Sequence, residues 1–184
     1  MTVTLIDETK RPKAPPIPGA TEEHRQRGRH LAAMHRIHMR ELDRVRSLIN
    51  QIETGNAAPT ALGAAVHQLQ MTQNYKAFGT LCGHECRALT WHHTSEDNDI
   101  FPILRANGTY GLRAVLDQLA AEHKIVHELL EDLWEKAQAI HANPGPETFA
   151  PLRKTFDTLD AVIRSHFGYE ETQLEEALGF YNAL

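Results

Sequence analysis

Long apolar runs are missing from this chain of 184 residues. None approaches the ~20 residues needed to cross a bilayer, so no membrane partner is expected. The opening MTVTLIDETKRPKAPP lacks the apolar core of a secretory signal. Basic tracts are missing too, apart from Lys10-Arg11-Pro12-Lys13, and the net charge is −5. Nucleic acid is therefore a poor partner. Cysteine is down to two residues, Cys82 and Cys86. Four apart in a helical pattern, they build no disulfide framework and read as inert, buried thiols in a reducing cytoplasm. Strand-like alternation is absent and β-branched residues are sparse, which excludes a β fold. The apolar fraction of 41% and charged fraction of 23% suit one globular domain, long enough for a real core.

What the chain has in excess is histidine, twelve in all, scattered from His24 to His166 rather than gathered in one run. Residues 1–20, with Pro12, Pro15, Pro16, Pro18 and Gly19, read as a flexible, extended arm. Residues 21–184 then read as one helical domain. Thr21 is an N-cap with Glu22 and Glu23 behind it. Leu31, His35, His38, Leu42, Val45, Ile49 and Ile52 form a seam in steps of three and four, stopped by Gly55-Asn56. A second helix starts after Pro59 and runs to Asn107-Gly108. Gly63, Gly79 and Gly83 predict a bend somewhere in 74–83. A third follows Gly111, with the stripe Leu116, Leu119, Ala120, His123, His127, Leu130, Trp134. A fourth begins at Pro146-Glu147, with Phe149, Leu152, Phe156, Leu159, Val162, Ile163 and His166 on one face. Four helices with short connections predict an all-α, antiparallel up-down four-helix bundle.

Residues four apart on a helix are offset by only about 40° and about 6 Å, so both can grip one ion. His92 and Glu96 have that spacing, as do His123 and His127, and His166 has Glu170 four and Glu171 five residues on. One such pair is usually a surface pair, and one seam histidine is usually a core residue. Four helices each delivering one or two such groups is different. Burying so many imidazoles and carboxylates without partners costs several kcal/mol each, which a shared metal centre offsets. The absence of ExxH argues against a ferritin-like site, and the absence of HExxH against a zinc protease.

A helix-one histidine, then HxxxE, then HxxxH, then a histidine followed by a carboxylate resembles the hemerythrin family. The likeness is closest to the HHE cation-binding branch, whose second helix reads like HHTSEDNDIFP, and it covers roughly residues 25–178. It implies His35, His92, His123, His127 and His166 as ligands and Glu96 as a bridging ligand. His38 stands where the pattern has an apolar residue, and it can ligate instead of His35 or beside it. The family match favours Glu171 as the second bridge, whereas a straight helix favours Glu170. Glu85 and His84, seven and eight residues or about two turns before His92, and Tyr169, three after His166, are candidates for outer contacts. Trp91 and Trp134 read as core. His24, His30, His67, His93 and His141 read as solvent or outer residues, with His93–Asp97 a surface pair.

The resemblance implies two iron ions with an oxo or hydroxo bridge. Two six-coordinate irons have about twelve positions, of which five histidines, two bridging carboxylates and the bridge fill all but about one. A small ligand, O2, peroxide or NO, would bind there. The expected function is such binding. The alternatives are a di-iron enzyme that turns over peroxide or oxidises a small substrate, and an iron sensor or structural metal-binding bundle. His38 and the Glu in place of Asp make the pocket more polar than a carrier's, which tilts the expectation towards reactivity.

Overall fold

The computed structural model describes residues 6–54 and 61–184, with side chains for 6–54 and 75–184. The expected helix stop at Gly55-Asn56, the start after Pro59, and the Gly63 and His67 positions as side chains lie outside the described residues. Among the described residues every regular element is helical, and the fold is all-α. A short 3-10 turn at Glu8–Lys10 precedes α1 (Glu22–Gly28), α2 (His30–Thr54), α3 (Ala61–Ser95), a π turn (Glu96–Ile100), α4 (Phe101–Asn107), α5 (Tyr110–Ala142) and α6 (Pro146–Phe180). The four long helices contact one another in a closed ring, α2 to α3, α3 to α5, α5 to α6 and α6 to α2.

The local signals account for most boundaries. Thr21 and His24 form a capping box at α1, Thr109 caps α5 by accepting from the Leu112 N–H, and Pro146 opens α6 where a missing N–H costs nothing. Two expectations change. The single helix predicted from Thr21 breaks at Arg29, and the short α1 folds against α6. The predicted bend at 74–83 does not interrupt α3, which is helical through Gly79 and Gly83. The irregularity falls instead at the π turn. Pro102, just after it, has no N–H to give and its ring would crowd the carbonyl four residues back, and a wider turn relieves both.

The break at Arg29 serves a close approach. A Cβ on Gly28 would lie 1.8 Å from the Glu175 carbonyl oxygen, and one on Gly179 would lie 1.8 Å from that of His24. Backbone meets backbone here, so no side chain can yield. Gly28→Ala and Gly179→Ala are each expected to cost about 1–3 kcal/mol, read as a Tm lower by roughly 2–12 °C. Gly168→Ala, with nothing within 4 Å of its added Cβ on the same α6, leaves Tm unchanged or higher. Equal losses at all three positions would remove the packing explanation.

Two apolar cores lie at either end of the bundle with a polar layer between them. One holds Leu42, Val45, Leu89, Val126 and Ile163, the other Leu31, Phe101, Leu119 and Leu174. α2 passes from the second core through His35 and His38 to the first, and α5 passes likewise through Glu122 and His123. α3 and α6 pass in the opposite sense, through His92, His93 and Glu96, and through His166 and Glu170. All of these polar side chains are buried.

Candidate metal centre

Each helix of a closed four-membered ring has two neighbours and so two inward seams. α3 uses consecutive residues for them. His92 turns towards α2, with its ring 5.1 Å from that of His35 and 5.0 Å from that of His38. His93 turns towards α5, stacked on His123 at 4.2 Å with the planes 8° apart, and on His127 at 5.5 Å. α6 also meets both of its neighbours, but with residues four apart, His166 meeting His123 at 4.9 Å and Glu170 reaching His35, where Oε2 lies 3.4 Å from Nε2.

The result is two adjoining groups of donor atoms, His93, His123 and His166 in one and His35, His92, Glu96 and Glu170 in the other. Within each group the donor atoms lie within 4.8 Å of one another. Two carboxylates join them. Glu96 sits 3.2 Å from His92 Nε2 and 3.5 Å from His123 Nε2, and Glu170 sits 3.4 Å from His35 Nε2 and 3.8 Å from His166 Nε2. Each therefore touches one histidine of both groups.

An outer set of carboxylates orients the imidazoles. His35 Nδ1 bonds Glu171 at 2.9 Å, His123 Nδ1 bonds Asp97 at 2.9 Å, and His166 Nδ1 bonds Glu122 at 3.0 Å. An ionised carboxylate only accepts, so the proton sits on Nδ1 and the Nε2 lone pair points inward. The π turn contributes here, because it carries Glu96 and Asp97, consecutive residues that address opposite nitrogens of the same His123 ring.

Electrostatics follow from burial. Burial alone would raise the Glu122 carboxyl, but bonds from His166, Arg11 and Gln118 overcome it and hold it at about 2. Burial, and then the charge of Glu170, push Glu96 well up. Glu170 goes down despite its own burial, because the imidazoles of His35 and His166 stand beside it. Burial lowers His92 to about 3, drives His93 well below the usual histidine value, and lowers His127 and His166. A metal ion needs unprotonated imidazoles, and burial favours that form at these four histidines.

The sequence-predicted residues fall as follows. His35, His92, Glu96, His123 and His166 come together. Of the alternatives, Glu170 is inside at 0% exposure, while Glu171 stands outside and bonds His35 Nδ1; α6 stays regular there, so the residue four after His166 faces the layer and the residue five after does not. His38 sits at the edge, bonded through Nδ1 to the buried Glu85 at 2.9 Å. His127 adjoins the first group and is half-buried. His84 is exposed, and the Tyr169 hydroxyl donates to the Pro12 carbonyl at 2.7 Å rather than into the centre. Cys82 and Cys86 are buried, and their mutual contact and burial push the Cys82 thiol up. His30 and His141 are exposed.

Three readings are corrected. His93 is no surface residue but wholly buried, and Asp97 pairs with His123 instead. Trp91 and Trp134 are 69% and 39% exposed. They flank a surface pocket of about 580 Å³ that Cys86, Leu130 and His127 also line, with the Trp134 ring lying where a side chain on Gly83 would be. Residues 6–20 lie along α5 and α6, where Arg11 bonds Glu122 and Ser165, and the Ala14 and Ile17 N–H groups donate to Gln173 and Glu176. Glu122 was missed altogether. It interrupts a second stripe, Val115, Leu119, Glu122, Val126, Leu129, in steps of three and four. The same signal marks His93 in Cys86, Leu89, His93, Glu96.

Whether these residues fit a metal can be judged from their unmet hydrogen bonds. Among the described residues, twelve buried side-chain nitrogen and oxygen atoms have no hydrogen-bond partner. Eleven belong to His35, His92, His93, Glu96, His123, His127, His166 and Glu170, and the other is the Tyr75 hydroxyl. A buried polar atom left unpaired costs about 1–3 kcal/mol, so such a concentration at one spot fits the donors of a cation site.

These features define a class, an all-helical protein with a buried histidine and carboxylate centre able to hold metal ions. The profile of the hemerythrin HHE cation binding domain matches residues 29–178, and the chain belongs to that family. No match to a curated protein or to a solved structure accompanies it. Among the described residues no helix is long and apolar enough to cross a membrane.

Proposed function

We propose that residues 21–184 form an antiparallel up-down bundle holding two iron ions that bind O2, peroxide or NO. The alternating passage of the long helices between the two cores supports that topology. The observation that carries the function is the convergence of eleven unpaired buried donor atoms from four helices, with three histidines already oriented from outside. In this reading His93, His123 and His166 hold one ion, with His127 beside them. His35 and His92 hold the other, and Glu96 and Glu170 bridge. A di-iron pair supplies an open coordination position and electrons to a small diatomic or peroxide ligand. Imidazole donors suit iron, zinc and copper alike, and family membership favours iron.

The chain's own part is to keep water out and protons in place. The two apolar cores close the layer at both ends. Glu171, Asp97 and Glu122 retain the Nδ1 protons so that each Nε2 stays a donor. Oxidation of a second reactant is the other reading, and one feature favours it: the pocket between Trp91 and Trp134 reaches His127, which gives an organic molecule a place beside the centre. The deciding measurement is the optical spectrum of the anaerobically iron-loaded protein as air is admitted. A band that grows, persists and vanishes on deoxygenation identifies reversible binding. A band that decays irreversibly identifies turnover, and peroxide consumption is assayed next. With no band at all the two-iron reading is lost.

A further inference from the structure

The N-terminal segment puts a charged side chain into the bundle that the metal-centre reading does not use. Arg11 comes from the Pro-rich stretch before α1, yet its side chain is only 8% exposed. Its Nε and Nη2 donate to the two oxygens of Glu122 at 2.8 Å each. Its Nη1 donates to the Ser165 hydroxyl at 2.9 Å and to the Ser165 carbonyl at 3.3 Å. The planar fork is thus engaged on both sides. Glu122 is fully buried, and its Oε2 also accepts from His166 Nδ1 at 3.0 Å. Two further contacts set the segment down on α6: the guanidinium lies over the Tyr169 ring, 4.6 Å from its centre, and the Tyr169 hydroxyl holds the Pro12 carbonyl.

We infer that Arg11 is a positioning residue for the centre, acting through Glu122 on His166. The inference rests on the metal-centre reading above. The geometry explains why an arginine is needed. A bidentate guanidinium fixes the plane of a carboxylate, whereas a lysine would hold it as a point charge and leave it free to turn. With its plane fixed, Glu122 presents Oε2 to Nδ1 and fixes which His166 nitrogen carries the proton. Nε2, buried and without a partner, is then aimed at Glu170, 3.8 Å away, and at the ion position. The carboxylates that hold His123 and His35, Asp97 and Glu171, are more than a third exposed. Water and bulk cations reach those two, but Glu122 is sealed. Gln118 donates to its Oε1 alone, at 2.9 Å, whereas Arg11 grips both oxygens, across 111 residues of sequence.

The test uses the full-length chain with ferrous iron in anaerobic competition against a chelator, together with 15N histidine NMR of the metal-free protein. Arg11→Gln is expected to weaken iron binding roughly 10–100-fold, the range for loss of an outer partner of a metal-bound histidine. The His166 signal should change from one Nδ1–H tautomer to a mixture. Arg11→Lys keeps a charge beside the buried Glu122 and so protects folding, and it should give a smaller loss of the same kind. Tyr169→Phe releases the Pro12 carbonyl while leaving the ring under Arg11, and both readouts should stay at their wild-type values. The inference is overturned if folded Arg11 variants bind iron as the wild type does with a single His166 tautomer. It is equally overturned if Tyr169→Phe weakens iron as much as Arg11→Gln, because the segment would then act only as a strap. The tautomer is read without metal, so failure of the two-iron reading and failure of this one are separate results.

Discussion

Two equivalents of ferrous iron, added without air, are expected to raise the Tm by roughly 10–20 °C. An ion present at a hundred times its Kd stabilises the folded state by about 2.7 kcal/mol. Two ions give about 5 kcal/mol, and each kcal/mol moves the Tm of a chain this size by about 2–4 °C. The gain arises because the metal-free layer is poorly satisfied: Glu96 and Glu170 face each other in burial, and four carboxylate oxygens have no hydrogen-bond partner. The variant Glu96→Gln removes the carboxyl whose charge burial disfavours, so its metal-free Tm should equal or exceed the wild type's while the iron-induced rise shrinks. Opposite signs from one substitution are the signature of a residue kept for binding at the expense of stability. Calorimetry with and without iron reads both. If the variant unfolds at a markedly lower temperature without metal, the carboxyl is structural and the centre is misassigned.

His93→Phe is expected to have the second largest effect, again with two signs. In the metal-free protein, both imidazole nitrogens of His93 are buried without partners, between the rings of His123 and His127. A phenyl ring keeps the stack and removes two unpaired polar atoms, each costing about 1–3 kcal/mol. The metal-free Tm should therefore rise, by roughly 4 °C or more. The same change deletes one of the three donors grouped with His123 and His166, so iron affinity should fall at least about tenfold. Chelator competition and calorimetry on one preparation settle it. An unchanged affinity beside a raised Tm would falsify a ligand role and leave His93 as a packing ring.

His93 also shows what helical spacing leaves open. One seam per helix gives one inward face, and on that basis consecutive residues cannot both face in. In a closed ring every helix has two inward faces, about one residue's rotation apart, and α3 fills them with His92 and His93. The second stripe was present in the spacing of Cys86, Leu89, His93 and Glu96, but nothing local says which of two stripes has a neighbour. The same ambiguity set Glu170 against Glu171 and His35 against His38. A regular α6 placed Glu170 inside and left Glu171 to hold His35 from outside. Trp91 and Trp134 depart from the expected burial for the related reason that size and apolarity predict burial only where a partner surface exists. Here they border a pocket instead.

The sequence by itself determined the helical class, the helix ends marked by Thr21 and Pro146, and the spacing that puts pairs of histidines and carboxylates on one side of a helix. These depend on periodicity and capping, which act over a few residues. Only the tertiary structure decided which member of each adjacent pair faces inward, which imidazole nitrogen carries the proton, and that Arg11 reaches Glu122. Those outcomes depend on contacts between residues far apart in the chain. A helix's own geometry sets the spacing of its side chains but not its rotation about its axis, and that rotation is fixed only when neighbouring helices pack against it.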